Sequence, residues 1–544
     1  TFTQAGDPIT GSGTGFFTTT DYNFYFQDNI RLSSSWTFNV GLRYELETMP
    51  AVQQANPAVP ETSHLNTDTN NIGPRVGFAW NVGGHSSQVL RGGYGLYYAR
   101  TQNSTLETFL FQNGVFQQTF AISPRNLTAA QRAACAPVAP NLLFPQPSTA
   151  PPLGPIFGTS GPTPAPLFAS VGDFLSDPTC QTLPSTATID TLDPHFVNPL
   201  VHEYDLSYER ELPGSLTLSL NYVGSRGQRL PVFVDANLPA PDQTAAYLFN
   251  GNIFTVPFFS GAGAGARPRI NPATGRPLGV VLMGRSVLNS WYNGLVVRVS
   301  RRMAHGFSFD SNFTWSQARD NGQVPGNFGT FTGTDSPLNP YDLGFESGVS
   351  DLDVRRRWIT NFYWETPFAN WTSNQTVKHI VGGWRFSSVS RVQDGHPVTS
   401  NMTLPFAFTC GTGDGGLTCG SVSSNAGFTN GRFPFYPRNA LVTAPGFLDF
   451  DFRVNREIKT SEHTHLELLA EAFNIFNRAN VFGVNTTAFA LTVPGSSCAA
   501  PASLPPGAVF KGCIAPSSSF LQTTSTGNTL YGSRQLQFGV RFGF

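Results

Sequence analysis

The sequence predicts an all-β chain folded as an antiparallel transmembrane β-barrel, and three observations carry that expectation. Segments of about ten residues alternate apolar and polar positions, the period of a strand with one greasy face. These segments come in pairs joined by a few residues, as hairpins do. The pairs are separated by connections of dozens of residues, the layout of a barrel with short turns on one rim and long loops on the other. Composition agrees: of 544 residues 12% are charged, 13% are aromatic, 54 are Gly and 42 are Pro, against a usual charged share of about 25%.

The strands follow in order. DYNFYFQDN from Asp21 sets Tyr22, Phe24 and Phe26 against Asn23, Tyr25 and Gln27, and LSSS joins it to WTFNVGLRYE. There Trp36, Phe38, Val40, Leu42 and Tyr44 share one face and Thr37, Asn39, Gly41, Arg43 and Glu45 the other. The unit recurs at 75–82 with 89–99, 201–212 with 215–225, and 291–301 with 307–317. Less regular versions lie at 354–365 with 383–394 and 448–458 with 464–474. The chain closes on LQFGVRFGF, with Leu536, Phe538, Val540, Phe542 and Phe544 on one parity. That makes about thirteen spans, each near the roughly 9–11 residues that cross a bilayer at a tilt.

Short links (LPG, MAHG, KTSEH) alternate with long connections near 47–74, 100–200, 226–290, 318–353, 395–447 and 475–530. The long ones are rich in Pro, Gly, Ser and Thr, and a compact soluble domain has no place for unstructured loops of that length. A β-propeller also alternates, but its strands are shorter and its turns evenly spaced. No stretch reaches the roughly 18 consecutive apolar residues of a spanning helix. TFTQAGDPIT has neither the basic start nor the apolar core of a signal peptide, so an export signal is expected upstream.

Lys+Arg of 33 against Asp+Glu of 34 leaves a net charge of -1, with no basic field to draw nucleic acid. GAGAGARPR (261–269) lacks the leading strand and the following Lys-Ser/Thr helix of a phosphate loop and reads as a flexible outer loop. Asp351 with Asp353, Asp449 with Asp451, and Asp414 fall short of the six or more oxygens calcium takes. His463, His465 and Glu467 form a conceivable metal set at a turn, and solvated polarity is the plainer reading. No GxSxG elbow or HExxH helix occurs, so neither an enzyme nor a cofactor is expected.

All six cysteines lie in long connections, two in each: Cys135 with Cys180, Cys410 with Cys419, and Cys498 with Cys513. No CxxC spacing points to zinc, and outer loops are oxidising territory, so three local disulfides are expected.

The chemistry left belongs to the polar parity. Arg43, Glu45, Arg75, Arg91, Glu203, Asp205, Arg298, Asp310, Asp449, Asp451, Arg453 and Glu471 are the lumen-facing candidates, with Glu209, Glu467 and Arg541 beside them. Facing lipid, each would cost about 2–4 kcal/mol at the midplane. They are expected to pair across strands and to face a plug or a solute.

The segments DYNFYFQDNIRLSSSWTFNVGLRYE, NPLVHEYDLSYERELPGSLTLSLNYVGSRGQRL, SWYNGLVVRVSRR, EAFNIFNRANVFG and YGSRQLQFGVRFGF resemble the TonB-dependent outer-membrane transporters, in particular their Oar-like branch with a carboxypeptidase-regulatory-like N-terminal region. The resemblance covers most strands and not the long loops. It implies a barrel of twenty-two strands in the bacterial outer membrane, filled by an N-terminal plug whose short motif contacts a TonB-type energy-transducing protein. Neither plug nor motif is in this sequence, so residues 1–544 read as the C-terminal barrel portion, with plug and first strands absent. The implied function is energised uptake of a scarce nutrient, be it siderophore, cobalamin, glycan or peptide. The resemblance also implies that the barrel-assembly machinery recognises the last strand at Phe542 and Phe544. Two rivals stand beside it: a non-transporting surface barrel for adhesion or protein export, and a secreted soluble β-enzyme. Direction of travel assigns Trp36, Trp80, Trp364, Trp384, Phe542 and Phe544 to an inner aromatic girdle and Tyr44, Tyr98, Trp315 and Trp358 to an outer one, about 25 Å apart.

Overall fold

The computed structural model describes residues 2–6, 15–84, 87–116, 118–122, 189–259, 267–272, 275, 277–322, 337, 339–403, 433, 435–461, 463–492, 494–527 and 532–544. Thirteen strands follow one another in a single antiparallel meander. They are β1 (Thr20–Arg31), β2 (Trp36–Thr48), β3 (Asn71–Asn81), β4 (Gln88–Tyr98), β5 (Leu200–Leu212), β6 (Leu216–Asp235), β7 (Val281–Ala304), β8 (Phe307–Asp320), β9 (Arg356–Glu365), β10 (Trp384–Gln393), β11 (Phe447–Lys459), β12 (His465–Phe473) and β13 (Gln535–Gly543). Sequence neighbours are therefore sheet neighbours throughout, as in an up-and-down barrel wall. Among the described residues β1 pairs only with β2 and β13 only with β12.

Tight turns set the hairpins. Between β7 and β8, His305 and Gly306 take positive φ of 54° and 77°, the mirror-image turn that matches strand twist. A Cβ on Gly306 would stand 2.5 Å from the Glu365 carbonyl.

The ladder carries parity intact from strand to strand. Trp36 faces Trp80, Trp80 faces Leu90, Leu90 faces Tyr208 and Tyr208 faces Leu220. Leu220 faces Val297, which faces Phe313, then Trp358 and Val392. Trp36, Phe38, Val40, Leu42, Leu216, Leu218 and Leu220 thus share one apolar sheet face, and Thr37, Asn39, Arg43 and Ser219 the other. Only the apolar face can meet hydrocarbon.

Several polar groups on that apolar face are matched locally, while Asp28, opposite Val40, lies on it with no ion pair among the described residues. Asn293 Oδ1 accepts from the Tyr222 and Tyr204 hydroxyls at 2.6 and 3.3 Å. Ser311 bonds Thr360 at 2.8 Å and accepts from Trp358 Nε1 at 2.8 Å. Arg210, Arg301 and Arg456 also fall on this parity, and each lies within a few residues of a short turn, where a long stem lets the guanidinium reach headgroups. Trp36, Trp80, Trp364 and Trp384 mark that same rim, with Trp36 stacked on Trp80 at 5.0 Å. Tyr44, Tyr98, Trp315 and Trp358 sit toward the long-loop ends of their strands.

The long connections depart from the sequence reading, which left them unstructured. β6 and β7 have 20 and 24 residues, well beyond one crossing, and their outer ends continue through Asp235 and from Val281 inside what reads as the 226–290 loop. Both faces of that extension are covered: Val232, Val234 and Leu288 pack together, while Phe233 and Leu282 join Leu106, Phe109 and Leu192. A ribbon buried on both sides loses alternation, so the parity signal fades there. The helix α1 (Asn103–Phe111) and the strand Ile189–Leu192, parallel to the start of β7, supply the cover.

Strands at 252–258, 243–249, 508–516, 487–492 and 401–403 form a five-stranded mixed sheet drawn from three connections. Its core is aromatic: Phe433 lies on Phe489 at 3.9 Å and edge-on to Phe249 at 5.5 Å. The 366–383 link between β9 and β10 is likewise a turn of 3-10 helix at Phe368–Trp371 followed by α2 (Gln375–Val381).

Cys498 and Cys513 are disulfide-bonded, with Cys513 on a strand of the mixed sheet. Cys135, Cys180, Cys410 and Cys419 lie outside the described residues. Closing a loop of about 15 residues restrains the unfolded connection by about 3 kcal/mol. Cys498→Ser with Cys513→Ser should therefore expose the 475–530 connection to protease while β1–β13 stay resistant, and peptide mapping of the digest checks it.

Candidate functional site

The polar face of the sheet is the candidate site, and the ladder builds it strand by strand. Gly41 faces Arg75, Arg75 faces Gly95 and Gly95 faces Glu203. Glu203 faces Ser225, which faces Tyr292, two-residue steps from Arg298. Arg298 faces Asn312; Asp310 faces Asn361, which faces Val389 and then Asp451. Arg453 finally faces Glu471. All twelve candidates stand on this one face, which is a consequence of parity being kept at each hairpin.

They are spread around the wall in pairs and not gathered at one point. Arg43 Nε donates to Glu45 Oε1 at 2.7 Å and its Nη2 to Asn23 at 3.0 Å. Arg298 and Asp310 pair at 2.6 Å, Arg453 and Glu471 at 2.9 Å, Arg541 and Glu467 at 3.4 Å, and Arg91 approaches Glu209 at 4.0 Å. Arg385 with Glu457 extends the series across β10 and β11. Asp451 accepts from the Asn474 amide at 2.9 Å, closing the end of β12, and Asp449 lies opposite Arg391.

One part of the face is recessed. Gly41, Gly77, Gly93 and Gly95 occupy neighbouring polar-face positions of β2, β3 and β4, so no side chains fill the wall there. A Cβ on Gly93 would meet Asp205 Oδ1 at 2.7 Å; the missing side chain is what lets that carboxylate lie over the strand. Arg75 stacks over the Tyr97 ring at 4.4 Å, and its Nε has no hydrogen-bond partner. Glu203 and Asp205 line the same recess with Arg43 and Gln27 and have no ion pair among the described residues. The recess therefore offers both signs of charge with hydrogen-bonding capacity unspent.

Reasoning from sequence missed the groups that tie the connections over the long-loop rim. Arg100 joins Asp21 at 3.1 Å and Glu47 at 3.2 Å, and Glu47 also accepts from the Thr101 amide at 2.9 Å. Arg269 holds Glu61 by two bonds of 2.7 and 2.8 Å, the fork geometry that suits a carboxylate. Arg267 reaches Asp235 at 2.5 Å. The Arg end of GAGAGARPR is thus anchored, while 261–266 lie outside the described residues. The Glu61 carboxyl is held below its usual range by Arg269. No spacing rule links Glu61 to Arg269 across such a distance in sequence.

Asp190, beside α1, is 4% exposed, and its Oδ1 has no hydrogen-bond partner. Burial pushes its carboxyl up to about 7, against about 3.9 in an open chain. Between those values the folded connection holds more protons than the unfolded one, so its stability falls as pH rises through the window and levels off above it. Hydrogen exchange over residues 189–192, corrected for intrinsic rates, should speed up from about pH 4 to about pH 7. Asp190→Asn should flatten that dependence.

A family model described as an outer membrane beta barrel domain matches residues 3–537. No curated protein matches the chain. Among solved structures it is similar to the outer membrane transporter YddB from Escherichia coli at 10% identity and a TM-score of 0.46, covering 86% of this chain and 43% of that one. The FrpB iron transporter from Neisseria meningitidis gives 10% identity, a TM-score of 0.43, and coverage of 96% and 46%. The ferripyoverdine receptor of Pseudomonas aeruginosa gives 9%, 0.42, and coverage of 96% and 38%. The chain spans less than half the length of each of these structures.

Proposed function

This chain belongs to the family of outer membrane beta barrel domains and lies in the bacterial outer membrane, and from that premise we propose that it is wall and loops of a protein that takes up a scarce nutrient by energised transport. The observation that carries the reading is the single charged and polar face running through all thirteen strands, opposite a face fit for lipid. Such a face lines a water-bearing lumen. Substrate capture falls to the structured connections, and conduction to the lumen wall, with the recess at Arg75, Glu203 and Asp205 the place where a plug or a solute docks. Nothing in this function requires catalysis, and the family is one of barrels.

The domain reading follows as part of the same proposal. Unpaired strand edges in lipid leave backbone groups unsatisfied at several kcal/mol each. β1 and β13 are therefore proposed to close on further strands of the same protein, giving the twenty-two the resemblance implies. An N-terminal plug with a TonB-contact motif fills that barrel, and the assembly machinery reads Phe542 and Phe544, whose rings stand 6.4 Å apart at the end of the last strand.

Uptake by cells carrying the complete protein tests this. Radiolabelled iron–siderophore, cobalamin, oligosaccharide and peptide are offered with the inner-membrane proton gradient intact or collapsed. Accumulation of one class only with the gradient intact supports transport. Accumulation indifferent to the gradient, or of none, would sink it. The second reading, a surface barrel for adhesion or export, draws on the ordered mixed sheet over the long-loop rim, and it predicts attachment or secretion defects on deletion with uptake unchanged.

A further inference from the structure

Among the described residues the connection between β9 and β10 stands out from the other short-turn links because it builds an α-helix. Asn374 caps α2 by accepting from the Thr376 and Val377 amides at 3.0 and 3.3 Å. Seven residues are too few to hold a helix in water without support. Support comes from β10 and β11: Trp384 Nε1 donates to the Ile380 carbonyl at 3.1 Å, and Arg456 donates to the His379 carbonyl while lying over the Trp384 ring at 5.2 Å.

The helix so fixed has one apolar side. Val377, Ile380 and Val381, with Trp384 after them, follow the 3, 4, 7 spacing of a single helical face. Among the described residues much of that side is uncovered: Val377 is 39% exposed, Ile380 60% and Trp371, on the preceding turn, 71%. Nor is it isolated from the membrane. Phe386 and Trp364 belong to the apolar sheet face and lie 5.6 Å apart; Trp364 meets Phe368 at 5.6 Å, and Phe368 meets Trp371 at 4.8 Å. An unbroken file of rings runs from the lipid-facing wall onto the rim. Lys378 and Arg456 add cations at the same level, where lipid phosphates stand.

We propose that residues 366–383 form a membrane foot: α2 lies in the plane of the inner leaflet, with Trp371, Val377 and Ile380 seated among phospholipid acyl chains just below their headgroups. The short-turn rim faces the periplasm, so the leaflet it meets is the phospholipid one. An amphipathic segment with a tryptophan and basic flanks is the kind that binds in this zone. The foot would fix the height and tilt of this sector of the wall, where β9 and β10 have only 10 residues each.

The test is nitroxide labelling of the complete protein in vesicles of phosphatidylethanolamine and phosphatidylglycerol. Labels are placed by Ile380→Cys and Trp371→Cys on the apolar side and by Gln375→Cys on the other, without reductant, with the unsubstituted protein as background. Samples are chosen in which a Leu218→Cys label reports hydrocarbon, so that the wall is known to be inserted. The foot predicts a ratio of oxygen to nickel-chelate accessibility several-fold higher at Ile380 and Trp371 than at Gln375. High chelate accessibility at all three, as in water, would overturn it. So would labels at Ile380 and Trp371 shielded from both reagents, since that is contact with protein.

Discussion

Val40→Arg or Leu218→Arg should abolish most membrane assembly of the complete protein, while Asn39→Arg and Ser219→Arg, one residue away, leave assembly near normal. Asn39 and Val40 are the fourth and fifth residues of β2, and Leu218 and Ser219 the third and fourth of β6, so within each pair depth is matched and only the face differs. Val40 lies opposite Val76 and Asp28, and Leu218 opposite Val299 and Arg210, on the apolar side; Asn39 lies opposite Gly77 and Asn29, and Ser219 opposite Arg298 and Glu209, on the polar side. A guanidinium on the lipid face costs about 2–4 kcal/mol near the midplane and less toward the rim, and the same group in the lumen costs little. Heat-modifiable mobility and urea-resistant membrane fractionation read the outcome. Equal damage at both parities would mean that the apolar face does not meet lipid, and the lumen assignment of all twelve charged candidates would go with it.

The alternation that fixes these faces was legible because half-burial imposes it. Each spanning strand has lipid on one side and water or polar neighbours on the other, so sequence records the contrast residue by residue. Arg298 and Asp310 could be placed on one face from parity alone, and the ladder puts them 2.6 Å apart. Their exact pairing was not legible, since it depends on register across the MAHG turn. The connections were opaque for a different physical reason. Val232, Phe233 and Val234 are all buried, so the run RLPVFVD has no contrast to display. Residues 244–249 pair in parallel with 508–514, segments held together only by folding of two separate connections. Glu61 with Arg269 and Phe433 with Phe489 are likewise contacts between distant connections, for which one sequence carries no signal. The glycine recess was in principle readable: Gly41, Gly77, Gly93 and Gly95 all fall on the polar parity, and a run of small residues there means space inside the wall.

The connections also contain the interaction whose disruption should be felt most outside the membrane. Arg438 is 6% exposed and is bonded to Asp320 at the outer end of β8, with Asp351 at 3.4 Å and the Glu346 carbonyl accepting from Nε at 3.2 Å. Burial pushes Arg438 down to about 10, still well above neutral, so the charge persists and must be matched where it lies. Arg438 thereby ties the 395–447 connection to the 318–353 connection, and Asn439 reinforces the tie by donating to the Val349 carbonyl at 2.7 Å. Arg438→Met leaves Asp320 buried without its cation, and Asp320→Leu leaves the cation without its main anion. Each change alone should destabilise the local cap by about 3–5 kcal/mol, because an uncompensated buried charge is worse than none. The double variant should recover most of that loss, since two apolar side chains replace two charges together, and a coupling of this kind is what a double-mutant cycle isolates. Hydrogen exchange over residues 343–354 and 435–442 measures the opening free energy in each variant, with β9 and β10 as internal references. Additive losses in the double variant would show that Arg438 and Asp320 act separately, and that the two connections are held over the rim by their apolar packing and not by this pair.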